Sequence, residues 1–332
     1  MEQGIDSFTA KAGAFVFLLF LLLHITCHKG LADDNLPVAV LVSQEIKPFI
    51  EMVEGLESHL DGPVVRIFMD HGKNPFSHDP LYKGMDMGHY SYMVAVGPWA
   101  LSLLVDSELV DSELVDSDLK LQSRILYAMV LSPEKIIPPG ISICGISLNL
   151  FSRDALSKIP RVLPSVKKIG VLFDPGNNEQ WFLGAKAMGL FSNMEAIPLH
   201  IETQSDINTL YRQGFMDVDA LMFIPDSTLA SPTIIKYVIK QAIALGIPVI
   251  GYNSFFHQSG AALSFVLDYA DIGREMARNI NSLAKNGECL QSMPPHNIMI
   301  NERVLELLGL ETNHGEVNGN KDEKREHPGG KP

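Results

Sequence analysis

The sequence lacks the short motifs that mark the commonest nucleotide-binding and hydrolytic enzymes. It contains no G-x-G-x-x-G and no G-x-x-x-x-G-K-[ST], the glycine-rich loops that hold a dinucleotide or a nucleoside triphosphate. It also has no G-x-S-x-G and no H-E-x-x-H, so neither an esterase nor a zinc peptidase of those classes is supported. We therefore predict that the protein is not an enzyme and that it needs no cofactor.

Basic residues are scarce beside the acidic ones, with 26 lysines and arginines against 39 aspartates and glutamates. The formal net charge is −13. A nucleic-acid-binding surface needs clustered basic side chains, so this balance argues against a nucleic acid as partner. The excess of acidic residues is explained sufficiently by solubility, because a net charge far from zero keeps a protein soluble.

Cysteine is rare as well, and the chain has only Cys27, Cys144 and Cys289. The last two are too few for a disulfide framework in a chain of 332 residues. They can form one bridge in an oxidising compartment. They can also remain two separate thiols, because free cysteine is commonly buried. We favour the separate thiols.

The apolar run near the N-terminus, residues 14–23, is too short for a membrane-spanning helix, which needs about 20 residues. Lys11 precedes this run, and residues 30–32 supply the small side chains that a signal peptidase recognises. We predict that residues 1–32 are a cleaved signal peptide and that the mature protein is periplasmic. A lipoprotein anchored through Cys27 is the second alternative, and a retained anchor is the third.

Apolar runs alternating with helical patterns are abundant, above all in residues 168–310. Such alternation indicates a parallel sheet covered on both faces, and the length fits about two domains. Strands are predicted at residues 36–42, 64–68, 91–97, 124–131, 168–174, 195–201, 219–226, 248–253, 261–266 and 297–300. Helices are predicted at residues 49–60, 181–191, 207–213, 231–245 and 268–283.

Polar residues follow the predicted strands of the second half, where parallel sheets bind small ligands. The candidates are Asp174, Asp226, Ser227, Thr228 and Asn253. Carboxylates and hydroxyls that converge there can receive an ammonium group and hydrogen-bond a polar ligand. The same side chains can instead cap helices, Asp174 one near Glu179 and Asp226 or Ser227 one near Ser231. Both roles remain open.

Two further patterns are weak candidates for metal binding. The first is a group of imidazole and thioether side chains, which suit copper but have irregular spacing: His71, His78, Met85, Met87 and His89. The second is the Leu-Val-Asp-Ser-Glu repeat of residues 104–118, which lacks the glycine of a calcium-binding loop. We predict no metal site, and we interpret the repeat as a solvated acidic insertion.

Several segments resemble the ABC transporter substrate-binding protein family that includes tryptophan- and tyrosine-binding members. The segments similar to the second lobe of that family are K-I-G-V-L-F-D-P-G at 168–176, I-P-D-S-T-L-A-S at 224–231 and P-V-I-G-Y-N at 248–253. Residues 144–147 resemble its first crossover, and residues 260–264 with 267–274 are similar to its second crossover and the helix that follows. The resemblance covers about residues 124–310.

This resemblance implies a type I periplasmic-binding fold. That fold is an α/β architecture of two Rossmann-like lobes with parallel sheets, joined by three hinge crossings, with the ligand between the lobes. Lobe one would comprise residues 33–147 and 268–288, and lobe two residues 148–267 and 289–310. Residues 311–332 have the polar composition of a disordered tail.

The resemblance also implies binding roles. The acidic position of the family after the third strand of lobe two falls on Asp226, beside Ser227 and Thr228. The family commonly has an acid in place of Asn253 and small polar residues in place of Glu179 and Gln180, departures that argue against an aromatic amino acid ligand. The remaining candidates follow strands or lie in the crossover segments: Ser43, Gln44, Gly97, Ser147, Asp174 and Asp268.

Together these expectations describe a monomeric extracytoplasmic solute-binding protein of an ABC transporter. It would capture a small polar or amino-acid-like ligand and dock on a permease in the inner membrane. Asp226 would hold a cationic or amine group, and Ser147, Thr228 and Asn253 would supply hydrogen bonds. A sensor of the same fold that signals to a membrane receptor is the alternative, and an enzyme on this scaffold comes third.

Overall fold

The computed structural model describes residues 36–69, 89–106, 124–151, 153–213, 215, 217–290 and 293–313. Four segments lie outside these ranges: the predicted signal peptide with Cys27, residues 70–88 with the weak copper candidates that precede His89, most of the acidic repeat, and the tail beyond residue 313. Within the described ranges, no helix combines the length and the apolar character needed to cross a membrane.

The first sheet has the spatial order β2-β1-β3-β4-β5. Its strands are β1 Val38–Val42, β2 Val64–Phe68, β3 Met93–Val96, β4 Ile125–Val130 and β5 Cys144–Ser147. β1 pairs in parallel with β2 and β3, and β3 pairs in parallel with β4. Every residue of β1, β3 and β4 is buried, so these strands are continuously apolar, as in sheets covered on both faces.

The second sheet has the order β11-β10-β9-β8-β6-β7. Its strands are β6 Lys168–Phe173, β7 Glu195–His200, β8 Ala220–Phe223, β9 Val249–Gly251, β10 Leu263–Leu267 and β11 His296–Ile300. Neighbouring strands are parallel except for β11, which runs antiparallel to β10 at the edge of the sheet. An antiparallel edge strand on an otherwise parallel sheet is a common variant.

Ten α-helices accompany these strands in the described residues. They are α1 Lys47–Glu57, α2 Pro98–Asp106, α3 Arg153–Ser157, α4 Ile159–Val162, α5 Pro175–Ala187, α6 Gln204–Arg212, α7 Pro232–Ala244, α8 Ser254–Gln258, α9 Tyr269–Asn286 and α10 Glu302–Leu308. α5 begins six residues earlier than the predicted 181–191, because Asp174 at the N-cap and Pro175 at the first position start the helix directly after β6.

The chain divides into two compact units and passes between them three times. The first unit takes the described residues up to Gly145 and the segment Gly273–Gln291. The second unit takes Ile146–Ile272 and the described residues after Gln291. The predicted α/β architecture of two units is therefore confirmed.

Alternating residues of β6 place two cores on opposite faces of the second sheet. Val171 and Phe173 belong to a core that includes buried residues of α4, α5 and α10. Leu172, between them, belongs to a core with residues of α6, α7 and α8. Because successive side chains of a strand point to opposite faces, helices cover this sheet on both sides.

In the first unit, α9 packs against α1 at Gly273. A Cβ at this position would lie 2.0 Å from the carbonyl oxygen of Met52 and 2.5 Å from the amide nitrogen of Leu56. Both atoms belong to the backbone of α1, which cannot rotate aside as a side chain can. Only glycine therefore allows this approach of the two helices.

Cys144 and Cys289 form a disulfide, so the prediction of two separate thiols is wrong. Their Cα atoms are 5.6 Å apart although 145 positions separate them in sequence. α9 belongs mostly to the first unit, and the residues that follow it lie beside β5. No local sequence pattern predicts this proximity. The bridge joins the edge strand β5 to the segment after α9.

Candidate functional site

The second sheet brings several predicted polar residues together at the carboxyl ends of β6 and β8. These strands are parallel neighbours, so the loops that follow them meet at one edge. The Thr228 hydroxyl donates to Oδ2 of Asp174 at 2.6 Å. Asp174, Asp226, Ser227 and Thr228 thus form one cluster, which we call the second-sheet edge cluster.

Asp226 lies at the centre of this cluster and is only 6% exposed. Its Oδ2 accepts from the Asp174 backbone N–H at 2.9 Å and from Asn178 Nδ2 at 2.7 Å. Its Oδ1 accepts from the Thr228 backbone N–H at 2.9 Å and from Asn177 Nδ2 at 3.3 Å. All four partners are N–H donors, the set that an ionised carboxylate accepts.

Asn177 and Asn178 are members of the cluster that the sequence analysis missed. Asn177 Nδ2 also lies 3.0 Å from the Ser227 hydroxyl oxygen and 3.3 Å from that of Thr228. Asn178 Nδ2 also donates to the Pro225 carbonyl at 3.2 Å. Asp174 followed by Pro175 was the available signal, since it starts α5 and places both asparagines in the first turn.

Several candidates serve as helix caps. Oδ1 of Asp174 accepts from the Gly176 N–H at 2.8 Å at the start of α5. Oδ1 of Asn253 accepts from the Phe255 N–H at 3.0 Å and caps α8. Oδ1 of Asp268 accepts from the Asp271 N–H at 2.9 Å at the start of α9. The capping alternative is thus correct for Asp174, and Asn253 caps a helix as well. The alternative does not apply to Asp226, because α7 begins after Ser231 without a side-chain cap.

Tyr252 is a third residue that the sequence analysis missed. It directly follows β9, which pairs with β8, and it is half-buried with its ring 4.7 Å from that of Phe256. Burial raises the pKa of the Tyr252 hydroxyl, and the negative charge of Asp226 raises it further. The hydroxyl is therefore a neutral hydrogen-bonding group near the cluster.

Among the described residues, the side chains of Glu179 and Gln180 make no hydrogen bond to the second-sheet edge cluster. Glu179 Oε2 lies 3.5 Å from Nε2 of His200, the last residue of β7. Gln180 is exposed on α5. These two predicted residues therefore lie farther along the helix than Asn177 and Asn178.

In the first unit, two candidates have packing roles. Ser43 is 2% exposed, and its hydroxyl oxygen accepts from the Ala100 N–H at 2.8 Å. Gly97 has a φ of 96°, and a Cβ there would lie 2.7 Å from the Phe49 ring. Gln44 is half-buried, and its carbonyl accepts from the Ile46 N–H at 3.0 Å.

Ser147 is the last residue of β5, and its hydroxyl oxygen accepts from the Asn149 N–H at 3.2 Å. In the part of the chain that the structure describes, no group of three histidine, cysteine, aspartate or glutamate side chains is arranged to hold a metal ion.

Solved structures similar to this chain share its two-unit fold. One is a domain in complex with L-Trp from Streptococcus pneumonia, with a TM-score of 0.53, 16% identity, and coverage of 86% of this chain and 98% of that one. Another is a ligand-free, open substrate-binding protein with adhesive properties from Clostridium difficile, with a TM-score of 0.62, 19% identity, and coverage of 85% and 97%. A periplasmic ribose ABC transporter protein from Conexibacter woesei has a TM-score of 0.53, 14% identity, and coverage of 85% and 97%.

These identities are low, so the likeness shows the fold alone, which is that of the type I periplasmic-binding proteins. Residues 130–315, more than half of the chain, match the profile described as ABC transporter substrate binding protein. The chain therefore belongs to the ABC transporter substrate-binding protein family, and the predicted resemblance is confirmed. No curated protein matches the chain.

Proposed function

We propose that the protein is the extracytoplasmic solute-binding component of an ABC transporter and that it captures a small polar or amino-acid-like ligand. The observation that carries this proposal is the second-sheet edge cluster, where exposed Asn177 and Ser227 border a hydrogen-bonded carboxylate at strand carboxyl ends. Edges of this kind bind small ligands in α/β sheets. The protein has no enzymatic role in this proposal.

Export and transport are supported by two further points. Proteins of this family are extracytoplasmic and typically deliver a small molecule to an ABC permease. The Cys144–Cys289 bridge suits an oxidising compartment, where disulfides persist. A periplasmic, monomeric protein that docks on an inner-membrane permease fits both points.

The ligand contacts remain predictions at the level of single residues. Ser227, Thr228 and Tyr252 carry hydroxyl groups that follow strands of the second sheet. The placement of a ligand between two lobes, and binding roles for Ser43, Gln44, Gly97 and Ser147, rest on the sequence alone.

A thermal-shift screen of the full chain, first unfolded and refolded to remove any bound molecule, tests the proposal. Free amino acids, sugars and small carboxylic acids form the panel. A true ligand at about one hundred times its Kd stabilises the folded state by about 2.7 kcal/mol and raises the melting temperature. Ser227→Ala and Tyr252→Phe should weaken that shift and leave the melting temperature of the ligand-free protein nearly unchanged. Absence of any shift, together with absence of a small molecule released from the freshly purified protein, would contradict the proposal.

A further inference from the structure

Among the residues that the structure describes, Asp226 is the only buried residue with a carboxyl side chain. In the same part of the chain, the other buried polar side chains, apart from tyrosines, are Ser43, Ser91, Ser264 and Asn279. A buried carboxylate is costly unless it is hydrogen-bonded, so its partners determine its role.

The hydrogen bonds of Asp226 leave no lone pair for a ligand. A carboxylate offers about four acceptor positions, and four N–H groups occupy them at distances of 2.7 to 3.3 Å. An incoming ammonium group would have to displace one of these donors, which would then be left unsatisfied in a buried site.

The same hydrogen bonds orient two exposed side chains. Asn177 turns its Nδ2 inward to Asp226 and to the Ser227 hydroxyl oxygen. The side-chain oxygen of Asn177 then remains available as an acceptor, and the Ser227 hydroxyl retains its proton for donation. An acceptor beside a donor complements a hydroxyl or a carboxamide group.

We infer that Asp226 is a positioning residue, which orients Asn177 and Ser227 for a neutral hydroxyl or carboxamide group of the ligand and does not itself receive an ammonium group. The ligand part of this inference rests on the proposed function. The hydrogen-bonded arrangement itself exists in the ligand-free protein and is tested there.

The first test uses the ligand-free full chain and compares Asp226→Asn, Asn178→Ala and Gln180→Ala. Replacing the carboxylate should lower the folding equilibrium constant about tenfold to a hundredfold, because N–H groups lose a charged acceptor. Asn178→Ala should lower the folding equilibrium constant by less, because it removes only one hydrogen-bond donor to Asp226. Gln180→Ala, exposed on the same helix, should leave the urea midpoint unchanged.

The second measurement reads side-chain orientation rather than stability. In ¹⁵N-resolved NMR spectra, the side-chain amide signals of Asn177 should be shifted and slowed in exchange in the wild type. Asn178→Ala should preserve them, and Asp226→Asn should return them to the values of a free asparagine. If Asp226→Asn does not fold, unshifted Asn177 signals in the wild type would still overturn the inference.

Acetamide and methylammonium serve as probes of the ligand class in the same spectra. Acetamide should perturb the signals of Asn177 and Ser227 more than methylammonium does. A stronger effect of methylammonium that Asp226→Asn abolishes would assign ammonium binding to Asp226 and overturn the inference. The urea and amide measurements need no ligand, so they remain decisive even if the ligand screen fails.

Discussion

The carboxyl edges of the two sheets differ in chemistry although both sheets are built mainly from parallel, buried strands. At the first sheet, large apolar side chains stand at or just beyond four neighbouring strand ends, each 42% exposed: Ile46, Phe68, Trp99 and Leu131. At the second sheet, the corresponding positions carry carboxylates, amides and hydroxyls that bond to one another. The same architecture thus supports two different surfaces.

Helix capping shows the same difference. α1 begins after Ile46, which offers no side-chain hydrogen bond. In the second unit, Asp174 caps α5, Asn253 caps α8 and Asn301 caps α10, each through a side-chain oxygen. Polar side chains of the second unit therefore satisfy the N-termini of these three helices as well as its sheet edge.

The two units also differ in what joins distant segments. The first unit has a covalent link between β5 and the segment after α9. The second unit links the loops after β6 and β8 through the hydrogen bonds of Asp226. The disulfide of the first unit is sensitive to reductant, and the hydrogen bonds of Asp226 in the second unit are sensitive to single polar substitutions.

The largest effect should come from removing the bridge of the first unit. Cys144→Ser combined with Cys289→Ser should lower the free energy of unfolding by about 5 kcal/mol, the chain-entropy value for a loop of this length. The loop spans a sequence separation of 145. Urea unfolding of the oxidised wild type and of the double variant measures the difference.

Reductant provides the matched control for this prediction. It should lower the midpoint of the wild type to that of the double variant and leave the double variant unchanged. An oxidised wild type in which mass analysis finds Cys144 and Cys289 both as free thiols would contradict the bridge.

The sequence predicted the parts of the fold that local patterns determine. Apolar runs such as residues 168–174 and 248–253 became β6 and β9, because their composition suits a sheet covered on both faces. The convergence of Asp174 with Asp226 followed from the parallel sheet alone, since adjacent parallel strands end at one edge. The helix predicted at residues 231–245 became α7, which begins with Pro232 at its first position.

The features that were missed depend on contacts between distant segments. Nothing in the sequence around Cys144 or Cys289 shows that α9 brings them together. The sequence also did not show how many donors surround Asp226, because this number depends on Asn177 and Asn178 in the first turn of α5. Sequence therefore identified the acid at the sheet edge but did not show that the protein itself satisfies it.

A pH-dependent effect of intermediate size should come from His296 in the second unit. Burial lowers the pKa of His296, and the positive charge of Lys158 lowers it further, against the opposing effect of the Pro294 carbonyl. As pH falls, the His296 imidazole therefore binds a proton near pH 6.5 in the unfolded chain but remains neutral at that pH in the folded chain. The contribution of neutral His296 to the free energy of unfolding is therefore fully present above this pH and is lost as pH falls below it.

His296→Gln removes this dependence while keeping a polar side chain. Between about pH 7 and about pH 5, the wild type should lose up to about 1.4 kcal/mol per pH unit more than the variant. Urea unfolding across this range measures it. Parallel pH profiles for the two proteins would contradict a lowered pKa at His296.

The smallest effect should come from giving the first unit the kind of cap that the second unit uses. Ile46→Asp would place a carboxylate at the N-cap of α1, where it can accept from backbone N–H groups and interact favourably with the helix dipole. We expect a stabilisation of about 0.5–1 kcal/mol, relative to Ile46→Ala as control. The urea midpoint of the two variants measures it. Equal midpoints would contradict the expectation, because they would mean that a carboxylate at this N-cap adds no stability to α1.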